Sequence, residues 1–266
     1  MTWVIGASSI FGHGLVISDV RVSFSNGTEQ DMLRKCYQVG PYLLAGFAGS
    51  VDIGFRLIEC LQHCLLVPDL PEDAVWRPEV VAEEWSPIAA KLFAESDPRE
   101  QAGGAQILMV GISPTEHMGD PKFRRVYVTS FCWPDFTPVH MPKGVSVCHI
   151  GSGADVELYK SRIAGSFEVD SPPSMAGLQA GPGAWSTMIG SNIGRIVSDR
   201  PVPGISPHVF IDTVALRNFR RNTNDQTRFE PDGTNTDFLM PPVASSHAEF
   251  KELCRKLGLA SARAVA

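Results

Sequence analysis

The sequence has no long apolar run. Nowhere do about 18 apolar residues follow one another, so no bilayer-spanning helix is expected. It also lacks a basic opening followed by a long apolar stretch, so a secretory signal is not expected. There is no excess of positive charge: 23 Lys and Arg stand against 29 Asp and Glu, a formal net charge of −6. That argues against nucleic acid or an anionic membrane as the main partner. The six cysteines, at 36, 60, 64, 132, 148 and 254, have no tight spacing. With no export signal, reduced thiols in a cytoplasm fit better than a disulfide framework. Cys60, His63 and Cys64 fall within about one helical turn, but no second pair stands at metal-site spacing. Core or half-buried residues are therefore favoured there over a metal site. No phosphate-binding loop, internal repeat or low-complexity tract is found, and no cofactor is expected.

What is present is the composition of an ordinary globular chain, 44% hydrophobic and 20% charged, with 266 residues to build one sizeable core. Apolar runs over 3 to 10 and 14 to 20 flank the turn signal Gly12-His13-Gly14 and predict a hairpin that ends at Asp19. A polar segment with the turn dipeptide Asn26-Gly27 follows, then strands over 35 to 39 and 42 to 47. Ser50 is placed to cap a helix reaching to about residue 66, with Gly54, Leu57, Ile58, Leu61, Cys64 and Leu65 on one face. A linker over 67 to 78 leads to a second helical stretch, which Pro87 either kinks or divides. Strands are expected over 105 to 112, 125 to 132 and 145 to 150, with an exposed loop over 113 to 124. Helices are expected over 154 to 163 and 183 to 197, with the uncharged, Ser, Pro and Gly-rich stretch 171 to 194 read as loop and small-residue helix. A strand over 208 to 219 and a long polar loop over 220 to 242 come next. Ser246-His247-Ala248-Glu249 has the form of a capping box opening a final helix.

The chemistry converges on four early points: Thr2, Asp19, Lys35 and the run Ala45-Gly46-Phe47-Ala48-Gly49. If Met1 is removed, Thr2 carries a hydroxyl and a free α-amine on one frame. Such an amine titrates near ~8 and can take the hydroxyl proton directly or through a water. An aspartate and a lysine can orient and tune that pair. A glycine-rich run brings backbone N–H groups close to a developing oxyanion. Each residue also has a plain reading: a small residue after the initiator, a turn aspartate, an exposed strand lysine, a helix-entry glycine.

Taken together, Thr2-Trp3-Val4-Ile5-Gly6, Gly14-Leu15-Val16-Ile17-Ser18-Asp19, the stretch from Arg34 through Leu44 and the run from Ala45 to Gly49 resemble the start of a proteasome β-type subunit. The similarity includes the bacterial proteasome-like proteases of the N-terminal-nucleophile (Ntn) hydrolase superfamily. It covers about the first 65 residues, with a weaker echo at Gly151-Ser152-Gly153. The Thr2-to-Asp19 interval is one residue long for that pattern, which a longer turn at Gly12-His13-Gly14 would absorb.

The resemblance implies an α+β fold: a four-layer αββα sandwich, two antiparallel sheets between helical layers. It places residues 1–220 in one domain, with 221–266 a polar loop and C-terminal helix packed on it. It implies Thr2 as nucleophile with its own amine as base, Lys35 beside the hydroxyl, Asp19 holding Lys35, and Gly49 donating its N–H to the oxyanion. Ser152 would support the amine, and Asp199 is the candidate for the remaining family aspartate. The serine and paired glycines that pattern expects after it are replaced by Arg200-Pro201-Val202-Pro203-Gly204-Ile205. Arg34 would take the place of Lys35 if the strand shifted by one residue, and Ser23 is a less favoured candidate for the border of the substrate cleft.

The expected activity is peptide-bond cleavage through an acyl-enzyme, on a peptide or unfolded protein, by a cytoplasmic homo-oligomer in a ring or spiral served by an ATP-dependent unfoldase. No metal is implied. Two alternatives stand beside it: a non-catalytic proteasome-like structural subunit, and an Ntn amidohydrolase acting on a small amide.

Overall fold

The computed structural model describes residues 2–9, 11–65, 77–113, 126–215, 218–229, 235–259 and 262–266. Most of the expected linker over 67–78 and of the loop over 113–124 lies outside them. The first half of the chain supplies β1 (Val4–Ser8), β2 (Gly14–Asp19), β3 (Arg21–Phe24), β4 (Glu29–Asp31), β5 (Cys36–Gly40), β6 (Leu43–Gly49), α1 (Val51–Leu65), α2 (Pro78–Ala94) and the short α3 (Pro98–Gln101). Strands β7 (Ala105–Ile112), β8 (Val126–Cys132), β9 (Val139–His140) and β10 (Ser146–Ile150) follow. After them come α4 (Glu157–Ala164), α5 (Pro172–Ala180) and α6 (Pro182–Asp199). The chain closes with β11 (Val209–Ala215), β12 (Asn218–Thr223), β13 (Gln226–Phe229), β14 (Asn235–Phe238), α7 (His247–Lys256) and β15 (Ala264–Val265).

These strands do not form the two sheets of a simple four-layer αββα sandwich, and that expectation is corrected. The described residues form two five-stranded sheets, ordered β10-β1-β2-β11-β12 and β5-β6-β7-β8-β9, a three-stranded sheet β15-β3-β4 and a separate hairpin β13-β14. The cause of the third sheet lies at Asp19. Its carboxylate, instead of a neighbouring strand, takes the Arg21 N–H at 2.7 Å, while the Val20 carbonyl accepts from Met32 and Leu33. The ladder of β2 is interrupted there, and β3 turns away to pair with β4 around Asn26-Gly27. The polar stretch expected as one long loop instead holds the end of β12 and the β13–β14 hairpin. Strand β12 runs through residues 220 and 221.

Period-two alternation decides where each strand residue goes. In β1, Val4 faces one apolar cluster while Ile5 and Ala7 face another with Trp185, Ile189 and Ile193 of α6. In β6, Leu44 and Ala48 share the Val4 cluster, and Leu43, Ala45 and Phe47 pack with α1 and α2. The Val4 cluster is thus common to both five-stranded sheets.

The helices follow their local signals. Ser50 Oγ accepts from the Ile53 N–H at 3.4 Å ahead of α1, and Ser246 Oγ caps α7 from the Glu249 N–H at 3.2 Å. Helix α2 is one helix with Pro87 inside it, so Pro87 does not divide it. The Ser171 side chain caps α5, a helix of small residues. Helix α1 can approach β6 because Gly54 has no side chain: a Cβ there would lie 2.2 Å from the Phe47 ring.

Candidate functional site

Register brings the first two candidates together. Strands β1 and β2 pair with Val4 opposite Ser18, around a loop at 9–13 in which Ser9 Oγ accepts from the N–H groups of Phe11 and His13. Trp3 and Asp19 therefore face each other one step further out. The Asp19 N–H donates to the Trp3 carbonyl at 3.2 Å, and the Trp3 N–H donates to Asp19 Oδ2 at 2.5 Å. Thr2, one residue earlier, donates from Oγ1 to the same Oδ2 at 2.8 Å.

Lys35 enters from the other five-stranded sheet. It sits immediately before β5, its carbonyl accepting from the Phe47 N–H at 3.0 Å. Its Nζ pairs with Asp19 Oδ1 at 2.8 Å and donates to Thr2 Oγ1. Neither side chain of the ion pair is open to solvent: Lys35 is 0% and Asp19 1% exposed. Burial pushes the Lys35 amine below its ordinary value, and Asp19 opposes that shift. The Asp19 carboxylate accepts four donors in all, from Thr2, Trp3, Arg21 and Lys35. A carboxylate has about four acceptor sites, so it is fully engaged. Arg34, the alternative to Lys35, lies elsewhere, with its guanidinium 4.5 Å over the Tyr37 ring.

Ser152 and Gly153 clamp Thr2 from its backbone side. The Thr2 N–H donates to Ser152 Oγ at 3.0 Å, and the Thr2 carbonyl accepts from Ser152 Oγ at 3.3 Å and from the Gly153 N–H at 3.0 Å. The preceding Gly151 N–H donates to Gln106 Oε1 at 2.6 Å. Gln106 lies opposite Ala48 in the β6–β7 ladder, one step from Gly49. Gln106 thus ties the Thr2 neighbourhood to the end of β6. Sequence reasoning missed it, although it is the one amide side chain in the otherwise apolar strand AQILMVGI.

Gly49 has φ +102°, and a Cβ there would lie 2.5 Å from the Gly104 carbonyl oxygen, so only glycine fits. Its N–H donates to the Ala266 carbonyl at 2.6 Å. Ser23 lies on β3 opposite Val265. Asp199 is not brought to this cluster: it ends α6 and is exposed. His63 turns its Nδ1 to the Glu59 carbonyl of its own helix at 2.8 Å, and Cys64 is exposed. Among the described residues no group of three or more His, Cys, Asp or Glu is placed to hold a metal ion.

Chemically, the Thr2 hydroxyl donates a hydrogen bond to the Asp19 carboxylate and accepts one from the Lys35 amine. That polarises Oγ1 and fixes its direction. While Met1 precedes Thr2, the nitrogen beside it is an amide and cannot act as a base. Once freed, the same nitrogen would lie against Ser152 Oγ.

Two outcomes are expected. Asp19→Ala leaves the Lys35 ammonium buried without its counter-charge and lowers stability by about 3–5 kcal/mol. Urea unfolding measures it, with Asp19→Ala/Lys35→Met recovering much of the loss; a cost under about 1 kcal/mol contradicts a buried pair. The second concerns His149, beside Trp3. Burial first, and then the Lys160 charge, push its pKa down from 6.5 to about 4. The Trp3 indole N–H donates to His149 Nδ1 at 3.1 Å, and an indole only donates, so that nitrogen is unprotonated. The unfolded chain therefore takes up this proton near 6.5 and the folded chain only near 4. The contribution is complete above 6.5 and is lost as pH falls to about 4, on the order of 3 kcal/mol. His149→Gln should flatten that part of the stability profile; an unchanged slope contradicts it.

Among the described residues no helix is long and apolar enough to cross a membrane. No family model matches the chain, and no curated protein matches it.

Proposed function

We propose that the chain is a proteasome-like N-terminal-threonine hydrolase that cleaves peptide bonds. The observation that carries this reading is the position of Thr2 Oγ1, held between Lys35 Nζ and Asp19 Oδ2 with its backbone nitrogen on Ser152 Oγ. A nucleophile is activated by groups within hydrogen-bond reach that orient it and favour its ionised form.

With Met1 removed, the Thr2 amine takes the hydroxyl proton, directly or through a water, as Oγ1 attacks the scissile carbonyl. The Lys35 charge stabilises the developing alkoxide and disfavours protonation of the amine until the proton arrives from Oγ1. Asp19 holds Lys35 and Thr2 in register. The Gly49 N–H is the donor for the tetrahedral oxyanion. The amine returns its proton to the leaving nitrogen, the C–N bond breaks, and the acyl group remains on Oγ1. Water, deprotonated by the same amine, then releases it and restores the hydroxyl. Assembly into a ring or spiral, an unfoldase partner, the cytoplasm and unfolded protein as substrate follow from the resemblance of the first 65 residues.

One observation favours the non-catalytic alternative: Thr2 has no exposed surface. A nucleophile must meet its substrate, so a catalytic chain has to uncover it.

Turnover of a labelled unfolded protein separates the readings. Thr2→Ala should abolish cleavage, and Lys35→Met should lower kcat by about 10²-fold or more with KM little changed. Cleavage retained by Thr2→Ala refutes the proposal. Activity confined to small amides, with none on the protein, moves the reading to an amidohydrolase.

A further inference from the structure

The last residues of the sequence do not lie on the surface as a loose end. Residues 263–266 run extended between two backbone edges. On one side Ala264 pairs with Phe24 and Val265 with Ser23 of β3. The Ser25 N–H donates to the Arg263 carbonyl at 2.8 Å, and the Arg263 N–H donates to Ser25 Oγ at 3.0 Å. On the other side Val265 bridges Ser50, and Ala266 exchanges two hydrogen bonds with Gly49. The Gly49 N–H donates to the Ala266 carbonyl at 2.6 Å, and the Ala266 N–H donates to the Gly49 carbonyl at 2.7 Å. Both edges belong to the candidate site: β3 leaves directly from Asp19, and Gly49 ends the strand whose Phe47 holds the Lys35 carbonyl.

We infer that residues 263–266 are an internal occupant of a peptide-binding cleft between β3 and the β6–α1 junction, and that they exclude any other peptide while they sit there. Three features separate this from an ordinary edge strand. Pairing on both sides leaves the segment as a strand inserted into a slot, the arrangement by which extended peptides are recognised through main-chain bonds. Its side chains alternate: Ala264 and Ala266 are buried at 5% and 2% exposure, while Val265 is half-buried. The slot therefore takes a side chain at every second position, and takes a small apolar one. The carbonyl of Ala266 also occupies the Gly49 N–H that the proposed mechanism assigns to the oxyanion. On that reading alone, the tail and a reacting substrate are mutually exclusive.

The chemical class of ligand follows. It is an extended peptide with small apolar residues at two alternating positions, its last such carbonyl on Gly49. A basic residue three positions before that carbonyl fits as well, since Arg263 Nη1 donates to the Arg99 carbonyl at 2.9 Å. The interaction is carried mainly by backbone bonds, so tolerance at the Val265 position is expected to be wide. Because the occupant is tethered, it competes at an effective concentration in the millimolar range. A free peptide must therefore overcome that concentration, or the tail must first leave.

The test is binding of fluorescein-labelled Arg-Ala-Val-Ala, followed by anisotropy, on the full chain and on Ala266→Pro. Proline removes the N–H that holds Gly49 and adds a ring at a buried position. The labelled peptide should bind Ala266→Pro at least about 10-fold more tightly than the unsubstituted chain. Equal binding to both, or binding to neither while circular dichroism shows Ala266→Pro folded, overturns the inference. Hydrogen exchange on the unsubstituted chain gives an answer that needs no variant. The Gly49 and Ala266 amides should exchange at least about 10²-fold faster than those of the β6–β7 ladder, because the segment leaves without global unfolding. Equal protection makes it a fixed strand and overturns the inference. Neither readout uses Thr2 chemistry. Peptide binding with an unreactive Thr2 sinks the hydrolase and keeps the cleft, and the reverse keeps the hydrolase and sinks the cleft.

Discussion

A lysine ammonium with no contact to solvent is the constraint on which the rest of this structure depends. Burying such a charge costs several kcal/mol unless a counter-charge and hydrogen bonds are in place. Asp19 supplies both, and it can do so only if β1 and β2 hold the register that sets Trp3 opposite it. The same carboxylate then takes the Arg21 N–H and ends β2, so β3 departs and a separate three-stranded sheet forms. One side chain thus fixes the hydroxyl of Thr2, the position of Lys35 and the branching of the sheets. The buried pair is better understood as a device for specificity of arrangement than as a source of stability, since buried pairs seldom repay their desolvation in full.

Around that pair, close backbone approach does the positioning. Gly49 admits the Gly104 carbonyl where any side chain would collide, and its N–H donates to the Ala266 carbonyl. Gln106 reaches from β7 to the Gly151 N–H and so connects the loop that clamps Thr2 with the strand that ends at Gly49. Thr2, Asp19, Lys35 and Gly49 lie on or immediately beside strands of both five-stranded sheets. The two sheets meet in the shared apolar cluster of Val4, Val16, Leu44, Ala48, Leu108 and Val110, which sets their relative placement. Rigid elements of this kind suit chemistry that needs preorganised donors.

The sequence made part of this legible. Thr2, Asp19 and Lys35 could be singled out because residue type and spacing both pointed at them, and a turn long enough to restore register lay between Ser8 and Gly14. Asp199 is marked in the sequence only by its position near a proline-rich loop, and it stands exposed at the end of α6. No periodicity governs such a choice, because the segment after α6 is irregular and its contacts are tertiary. The two-sheet arrangement failed for a related reason. Where β2 stops and β3 turns away is decided by a side chain capturing a backbone N–H, an event invisible to hydrophobic patterning. The stretch over 220 to 242 reads as loop because its residues are polar, yet among the described residues it holds the β13–β14 hairpin, whose two strands pair with each other. Residues 263–266 are too few for any pattern, and their place is set by partners distant in sequence, among them Ser25, Gly49 and Arg99.

The central claim is that Thr2, once freed of Met1, is a competent nucleophile. The most direct measurement is the intact mass of the protein after exhaustive incubation with an electrophile that requires an N-terminal threonine. The account predicts a chain lacking Met1 that carries a single adduct, and no adduct on Thr2→Ala. A chain that keeps Met1, or a free Thr2 that never reacts, contradicts it and leaves the Asp19–Lys35 pair as a structural device alone.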